Sequence, residues 1–212
     1  MEDRYYVNLA AAFVQGKLGA MPQLSVDEII QAGLNAGLRL HKFKRNAELP
    51  RVRKALGILR GLAPESLLDV GSGRGTFLWP VLDSFSYMPV TAIDFSAQRA
   101  RDIDAVRRGG IENLTAVRGD ATAQPFANHS FSVVTMLEVM EHMPAPEKAA
   151  MEALRIASRF VVVSVPSKED DNPEHIHLFN TTKLESMFLS AGAKNIKFDF
   201  VANHIIAVVA CQ

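Results

Sequence analysis

Cysteine is almost absent from this chain of 212 residues, which contains only Cys211. One thiol cannot form an internal disulfide, so the fold does not depend on an oxidising compartment. Long apolar runs are also absent: runs such as those at 160–163 and 205–210 have the length of a strand, far below the roughly 20 residues of a membrane span. Residues 1–6 carry acids where a secretory signal would carry basic residues. These features predict a cytoplasmic protein without a membrane partner.

An excess of charge of either sign is missing as well. The chain has 23 basic and 23 acidic residues, and its formal net charge is zero. A protein that holds long nucleic acid through charge alone needs a basic surface, because it must contact many phosphates. The balance therefore favours a small-molecule partner over a nucleic acid. Since 48% of the residues are apolar, the chain can bury the core of one ordinary globular domain.

The first part of the chain has a helical pattern. Ser25 and Glu28 stand three residues apart before an apolar pair, which is typical of a capping box at the start of a helix. A further helix is predicted over 49–62, with Pro50 in its first turn. We therefore expect a helical segment over residues 1–50, followed by a second unit over 51–212.

After Glu65, short runs rich in β-forming residues alternate with helical stretches. Several of these runs lack polar alternation, which is typical of parallel strands that are covered on both faces. The last two are joined by a link too short for a crossover helix, so they should form an antiparallel hairpin. The pattern predicts a doubly wound α/β fold. The candidate strands are 66–70, 90–93, 114–118, 131–137, 160–165, 196–201 and 205–210.

The strongest motif is LLDVGSGRG at 67–75, where a strand runs into glycines at alternate positions. The spacing G-x-G-x-G differs from the dinucleotide fingerprint G-x-G-x-x-G. Asp69 precedes the glycines and can face a ligand ammonium, while the following helix N-terminus favours a carboxylate. The loop therefore suits an amino-acid moiety, and a glycine-rich turn without a ligand is the alternative. The expected ligand contacts are Asp69, Gly71, Ser72, Gly73 and Gly75.

Two further acids follow predicted strands. Asp94 ends the second strand, where a carboxylate can accept hydrogen bonds from both hydroxyls of a ribose. Asp120 follows Gly119 at the end of the third strand, where its side chain can accept from an adenine amine. The alternatives are a solvated loop aspartate and an Asx turn. Phe95, Ala121 and Leu137 complete the set of expected cofactor contacts.

Together, DVGSGRG at 69–75, Asp94, Gly119 to Ala121 and the strand 131–137 resemble the ordered motifs of class I S-adenosylmethionine-dependent methyltransferases of the type 11 group. The resemblance covers roughly residues 50–212. It implies a Rossmann-like seven-stranded sheet of order 3-2-1-4-5-7-6 with strand 7 antiparallel, and S-adenosylmethionine as the cofactor. It further implies that Gly71 and Gly73 approach the methionine part, that Asp94 holds the ribose, and that Asp120 and Ala121 hold the adenine. Residues 1–50 are then expected to cap the pocket.

Acids and histidines gather in the two loops that should border the methyl end of that pocket. Glu138, Glu141 and His142 follow the fourth strand, and positions three and four apart share a face in a helical turn. His175 and His177 follow the fifth strand. Such a group can bind a divalent metal or act as a general base. We predict Glu138, His142 and His175 as catalytic residues.

The same group is similar to the metal site of the small-RNA 2′-O-methyltransferases, and it also resembles the ubiquinone-pathway O-methyltransferases. This resemblance implies Glu138, Glu141, His142 and His175 as metal ligands, with His177 as the alternative to His175. Histidines that contact the acceptor without a metal are the other interpretation.

A run of basic residues precedes the glycine loop, interrupted by one acid, Glu48. A solvated helical face is one interpretation, and a positive surface for an anionic acceptor is the other. The run consists of Arg39, Lys42, Lys44, Arg45, Arg51, Arg53, Lys54 and Arg60.

These patterns predict a methyltransferase acting on a small molecule, with O-methylation slightly favoured because base and metal candidates are present. A nicotinamide-dependent oxidoreductase is one alternative, against which Asp69 and the glycine spacing speak. A non-catalytic protein that binds the cofactor on the same fold is the other.

Overall fold

Seven strands form one sheet in the computed structural model of the chain, which describes residues 6–45, 49–168 and 171–212. Their order is β3-β2-β1-β4-β5-β7-β6, and β7 runs antiparallel to both of its neighbours. The predicted order and the predicted terminal hairpin are confirmed. The strands are β1 Leu67–Val70, β2 Val90–Asp94, β3 Leu114–Arg118, β4 Phe131–Leu137, β5 Ala157–Pro166, β6 Asn195–Val201 and β7 His204–Ala210.

Helices cover both faces of this sheet. Short 3-10 turns also lie at His41–Phe43 and Met140–His142. The capping box expected at Ser25 is present, because its side chain accepts from the Glu28 amide while the Glu28 carboxylate accepts from the Ser25 amide. The helices are α1 Val7–Leu18, α2 Val26–Asn35, α3 Pro50–Leu62, α4 Leu78–Ser84, α5 Ala97–Arg108, α6 Pro146–Ile156 and α7 Thr181–Ser190.

Adjacent residues of the central strands enter opposite cores, as the pleat of a strand requires. Leu67 and Val133 belong to one buried cluster, and Leu68 and Val134 belong to the other. Both faces are therefore apolar, which explains the missing alternation in the sequence. The second cluster is completed by α6 and α7, and the first by helices from the N-terminal half.

The described residues of the N-terminal segment, 6–45, contribute to that first core. The buried side chains of α1 and α2 belong to the same hydrophobic cluster as those of α3 and β1. Helix α1 lies so close to α5 that a Cβ at Gly16 would stand 1.8 Å from the Ala105 carbonyl oxygen. The segment is thus packed on the sheet domain, and the cap role of residues 1–50 stays a prediction. Glu48 and residues 1–5 lie outside the described residues.

Within the described ranges, none of the helices has the length and apolarity needed to cross a membrane.

The close contact of α1 with α5 leads to a stability prediction. Gly16→Ala should lower the free energy of unfolding by about 1–3 kcal/mol, because the added methyl overpacks a backbone contact. Gly57→Ala is the matched control: it lies inside α3, and its Cβ would meet nothing within 4 Å. The control should gain about 0.5–1 kcal/mol, since alanine is the better helix former. Urea unfolding measures both, and equal stabilisation by the two substitutions would contradict the packing.

Candidate functional site

The loop after β1 turns through three glycines with positive φ: Gly71 at 70°, Gly73 at 59° and Gly75 at 85°. Two of them also face close neighbours. A Cβ at Gly71 would stand 2.6 Å from a methyl carbon of Val139, and one at Gly75 would stand 2.0 Å from the Trp79 indole. Both the backbone conformation and the space therefore require glycine here. The chain can turn tightly at this point, where the amides of Gly71, Gly73 and Gly75 donate to Ile93, Asp94 and Ser72.

Asp69 lies buried under this loop. Its Oδ1 accepts the Thr135 hydroxyl at 2.8 Å, whereas its buried Oδ2 accepts no hydrogen bond from the described residues. Burial raises the pKa of Asp69 to about 6, against the lowering by the Ser72 and Thr135 hydroxyls; the charge of Asp94 adds to the rise. A buried carboxyl oxygen without a donor fits a ligand that supplies one, such as an ammonium.

Asp94 connects the glycine loop to the start of α5. Its Oδ2 accepts the Gly73 amide and its Oδ1 accepts the Ser96 amide, both at 2.8 Å. The side chain is buried, and it borders a cavity of about 810 Å³. Each carboxylate oxygen has two lone-pair sites, so Asp94 can still accept from a ligand hydroxyl. The structure shows a loop-bracing role for Asp94, and its contact with a ribose stays a prediction.

That larger cavity extends from the ends of β2 and β3 to the loop after β4. Asp94, Phe95, Asp120 and Ala121 line one end, and Phe95 is 73% exposed there. Glu138, Val139, His142, Met143, Pro144, Ala145 and Glu174 line the other end. A second cavity of about 160 Å³ borders the first and is lined by the glycine loop, Asp69, Arg51, Arg74 and Leu137. Of the expected cofactor contacts, all but Gly75 line one of these two cavities.

Asp120 forms a local turn at the cavity wall. Its Oδ1 accepts the amide and the hydroxyl of Thr122, each at 2.8 Å, and these hydrogen bonds lower the pKa of Asp120. This is the Asx-type turn that the sequence left open. Because the turn uses only Oδ1, the Oδ2 atom of Asp120 can still accept a hydrogen bond from a ligand.

Glu138 follows β4 in a left-handed conformation, with φ at 58°. Its Oε1 accepts the Ser164 hydroxyl at 2.6 Å, and its Oε2 lies 3.0 Å from Nε2 of His204. Nε of Arg51 lies 3.8 Å from the same Oε2. Sequence reasoning gave no role to His204. The signal was available in the expected strand order, because β7 next to β5 places His204 opposite Pro166, at the edge where the parallel strands end.

Glu141, His142 and His175 form a compact group, in which one ligand atom from each lies within 4.8 Å of the others. Glu141 is buried and His142 is exposed. Nδ1 of His142 lies 2.9 Å from the Glu174 carbonyl oxygen. The structure thus brings together three of the four expected metal ligands, whereas the Glu138 carboxylate is held by Ser164 and His204.

His177, the alternative to His175, has another partner. Its Nε2 lies 3.0 Å from the carbonyl oxygen of Met143, so it links the loop after β5 to the loop after β4. Among the described residues the compact group contains His175 and not His177.

Half of the basic run is neutralised by acids. Lys42 lies 2.6 Å from Asp102 and Arg45 lies 3.2 Å from Asp83, while Lys54 pairs with Asp199 and Arg51 with Glu138. Of these four side chains, Arg51 borders the smaller cavity. For the other three, the solvated and paired face is the better description.

Residues 68–159 match a family described as "Methyltransferase domain". This part of the chain is similar to a methyltransferase domain. The matched segment contains Asp69, the glycine loop, Asp94, Asp120 and Glu138. Arg51, His175 and His204 lie outside the matched segment.

Three curated relatives share parts of the methyltransferase domain. Demethylmenaquinone methyltransferase of Renibacterium salmoninarum is 36% identical over 102 residues, which is 48% of this chain and 39% of that protein. The "Probable tocopherol O-methyltransferase, chloroplastic" of Oryza sativa subsp. japonica is 28% identical, over 54% and 34%. Botryococcene C-methyltransferase of Botryococcus braunii is 26% identical, over 78% and 45%. The chain spans less than half the length of each.

A solved S-adenosylmethionine-dependent methyltransferase from Aquifex aeolicus has the same fold. It superposes with a TM-score of 0.63 at 19% identity, covering 78% of this chain and 91% of that one. At this identity the likeness concerns the fold of the methyltransferase domain alone.

The burial of Asp69 leads to a pH prediction. An unfolded aspartate has a pKa near 3.8, and the folded one is at about 6. As the pH rises between these values, the unfolded chain releases its proton first, so the folded state loses stability. Asp69→Asn cannot ionise and should be more stable than the parent by up to about 3 kcal/mol at pH 7.5. The difference should shrink towards pH 4.

Urea unfolding of the protein without cofactor, at pH 4.5, 6 and 7.5, measures this difference. Asp83→Asn serves as a control at an exposed carboxylate and should follow the parent at each pH. Equal stability of the parent and Asp69→Asn at pH 7.5 would contradict the cost of ionising Asp69.

Proposed function

We propose that this protein transfers the methyl group of S-adenosylmethionine to a hydrocarbon-rich small molecule. The observation that carries the proposal is that two cavities meet at Gly71 and Glu138, which line both. The smaller has the groups that an amino acid needs, and the larger offers the groups that a nucleoside needs at one end. The cofactor has both parts, joined at the sulfur that holds the methyl group.

In the smaller cavity, the fit rests on opposite charges. The buried Oδ2 of Asp69 would accept from the cofactor ammonium, and the Arg51 guanidinium would face its carboxylate. Ser72 and Arg74 of the loop line the same space, and their amides would add donors for the carboxylate. The Leu137 side chain closes the wall.

In the larger cavity, Asp94 would accept from the ribose hydroxyls, and Phe95 would lie against the adenine. Asp120 and Ala121 would contact the edge of that ring. The exposed position of Phe95 supports this role, because a large apolar side chain without cover gains by stacking on a ligand ring.

The acceptor would enter beyond Glu138, where the wall is largely apolar. Val139, Met143, Pro144 and Ala145 line this end, and the loop that carries Glu174 also exposes Ile176 and Leu178. Apolar walls bind hydrocarbon surface. The acceptors in the relatives' names, demethylmenaquinone, tocopherol and botryococcene, are hydrocarbon-rich molecules, which agrees with this wall. Because half of the basic run is paired with acids, an acceptor of high negative charge has less support.

Methyl transfer needs an acceptor atom aligned with the carbon–sulfur bond in a dry pocket, so positioning and the exclusion of water supply much of the rate. A hydroxyl acceptor must also lose its proton. His142 is placed for this step, because Nδ1 faces the Glu174 carbonyl as a donor and Nε2 is left to accept a proton. The acceptor oxygen then bonds to the methyl carbon, and the electron pair of the broken bond stays on sulfur. This favours O-methylation, although the relatives include a C-methyltransferase.

A divalent ion is the second way to remove that proton. Glu141, His142 and His175 would hold it through one carboxylate and two imidazoles, which suit zinc, manganese or iron better than calcium. His142 fits this role too, since metal-bound histidines commonly donate their other N–H to a carbonyl. Such an ion would lower the pKa of the acceptor hydroxyl.

The first test of the proposal is cofactor binding. S-Adenosylhomocysteine should bind in calorimetry, and NAD should not, because the family match and Asp69 both disfavour a dinucleotide. Asp94→Ala should weaken binding by about 1.5–3 kcal/mol, the range for hydrogen bonds to a charged group. Asp83→Ala is the control on the surface. Tight NAD binding without S-adenosylhomocysteine heat would overturn the proposal.

The second test is methyl transfer itself, with methyl-labelled cofactor. A hydrophobic phenol or hydroquinone should accept the labelled methyl group. A short hydrophilic phenol should be methylated more slowly, since it leaves the apolar wall exposed to water. His142→Ala should lower the rate by about 10²–10⁴-fold, the range for general acid–base catalysis. Lack of turnover with any acceptor would favour the non-catalytic alternative. Full activity in excess chelator, with no bound metal found in untagged protein, would remove the metal route and leave His142 as the base.

A further inference from the structure

Glu138 lies where the two halves of the cofactor would meet, and its carboxylate lies beside the side chains of Arg51 and His204. It is shared by both cavities, and its side chain is 25% exposed. Its backbone takes a left-handed conformation that costs free energy in a residue with a Cβ. Its amide donates to the Ser164 carbonyl oxygen at 2.9 Å, so the end of β5 keeps the residue in this place.

The carboxylate itself is fixed from three other elements. Ser164 of β5 donates to one oxygen at 2.6 Å, and His204 of β7 and Arg51 of α3 lie 3.0 Å and 3.8 Å from the other. Nδ1 of His204 lies 2.9 Å from the Ala202 carbonyl oxygen. Both ring nitrogens of His204 therefore face oxygen atoms. The Glu138 carboxylate lies between this imidazole and the Arg51 guanidinium.

The methyl donor and its product differ in charge at the sulfur and nowhere else. S-Adenosylmethionine carries a sulfonium, and S-adenosylhomocysteine carries a neutral thioether. A fixed negative charge beside the sulfur favours the first over the second, and fixed positive charges do the reverse. Contacts to the ammonium, the carboxylate, the ribose or the adenine are common to both molecules and leave their affinity ratio unchanged.

We propose that Glu138 sets the preference of the site for the sulfonium over the thioether, and that His204 acts through it as a positioning residue. The inference rests on the proposed function. Glu138 supplies the negative charge at the junction of the two cavities, while Ser164 and His204 hold the carboxylate in place. The charge of Glu138 would hold the methyl donor more tightly than the product. This preference would not depend on which acceptor is used.

The test compares the dissociation constants of S-adenosylmethionine and S-adenosylhomocysteine by calorimetry at pH 7, without acceptor. Glu138→Gln keeps the size of the side chain and an oxygen for Ser164 but removes the charge. The preference for S-adenosylmethionine should fall about tenfold. Glu138→Asp keeps the charge and should lose less than about threefold. His204→Gln keeps a donor for the carboxylate, so the preference should stay within about threefold of the parent.

A change in the ratio of the two dissociation constants separates an electrostatic role of Glu138 from a structural one, which would alter both affinities together. Asp199→Asn is the matched control, because Asp199 forms an ion pair with Lys54 on the helix that carries Arg51. An unchanged ratio in Glu138→Gln, or an equal loss of preference in Glu138→Asp, would overturn this inference. If the parent protein binds neither molecule, the proposed function fails instead.

Discussion

The cofactor side of the site depends on one buried carboxylate, that of Asp94. Its two oxygens accept the amides of Gly73 and Ser96, so it joins the loop after β1 to the first turn of α5. Gly73 lies 21 residues and Ser96 two residues from Asp94 along the chain. The parallel pairing of β1 with β2 brings the two segments together. Asp94 thus engages the Gly73 amide, and the loop from Gly71 to Arg74 lines the smaller cavity. Since Asp94 itself lines the larger cavity, this contact connects the walls of the two cavities.

Much of the fold could be predicted because the signals are local. The apolar runs gave seven strands, and the order of the sheet followed from the resemblance of the motifs. Most strand ends in the structure lie within a few residues of the predicted ends. β5 begins earlier than expected, at Ala157, because α6 leads into it directly and its first residues lie beside the start of β4. The glycine loop was predictable for the same reason: Asp69 and the three glycines are consecutive in sequence and act as one turn.

The environment of Glu138 was not predictable from the sequence in this way. Its partners Arg51, Ser164 and His204 come from α3, β5 and β7, and none stands at a helical or strand spacing from it. They converge because the antiparallel β7 lies beside β5 and starts at the edge where the parallel strands end. The ion pairs of the basic run at 39–60 were not predictable for a similar reason. The acids that pair with Lys42, Arg45 and Lys54 lie on α5, α4 and β6, far from that run in sequence.

Three of the carboxylates that line these cavities have different surroundings. Asp69 is buried with one oxygen that accepts no hydrogen bond from the described residues, so burial opposes its charge. Asp94 accepts from two backbone amides, and the Arg99 guanidinium lies 4.0 Å from one of its oxygens. Glu138 lies beside Arg51 and His204. A ligand with a positive ammonium and a positive sulfonium would meet two of these environments in turn, because the ammonium would complete Asp69 and the sulfonium would face Glu138. Loss of the methyl group removes only the second of these interactions, so the same arrangement that holds both forms of the cofactor at Asp69 distinguishes them at Glu138.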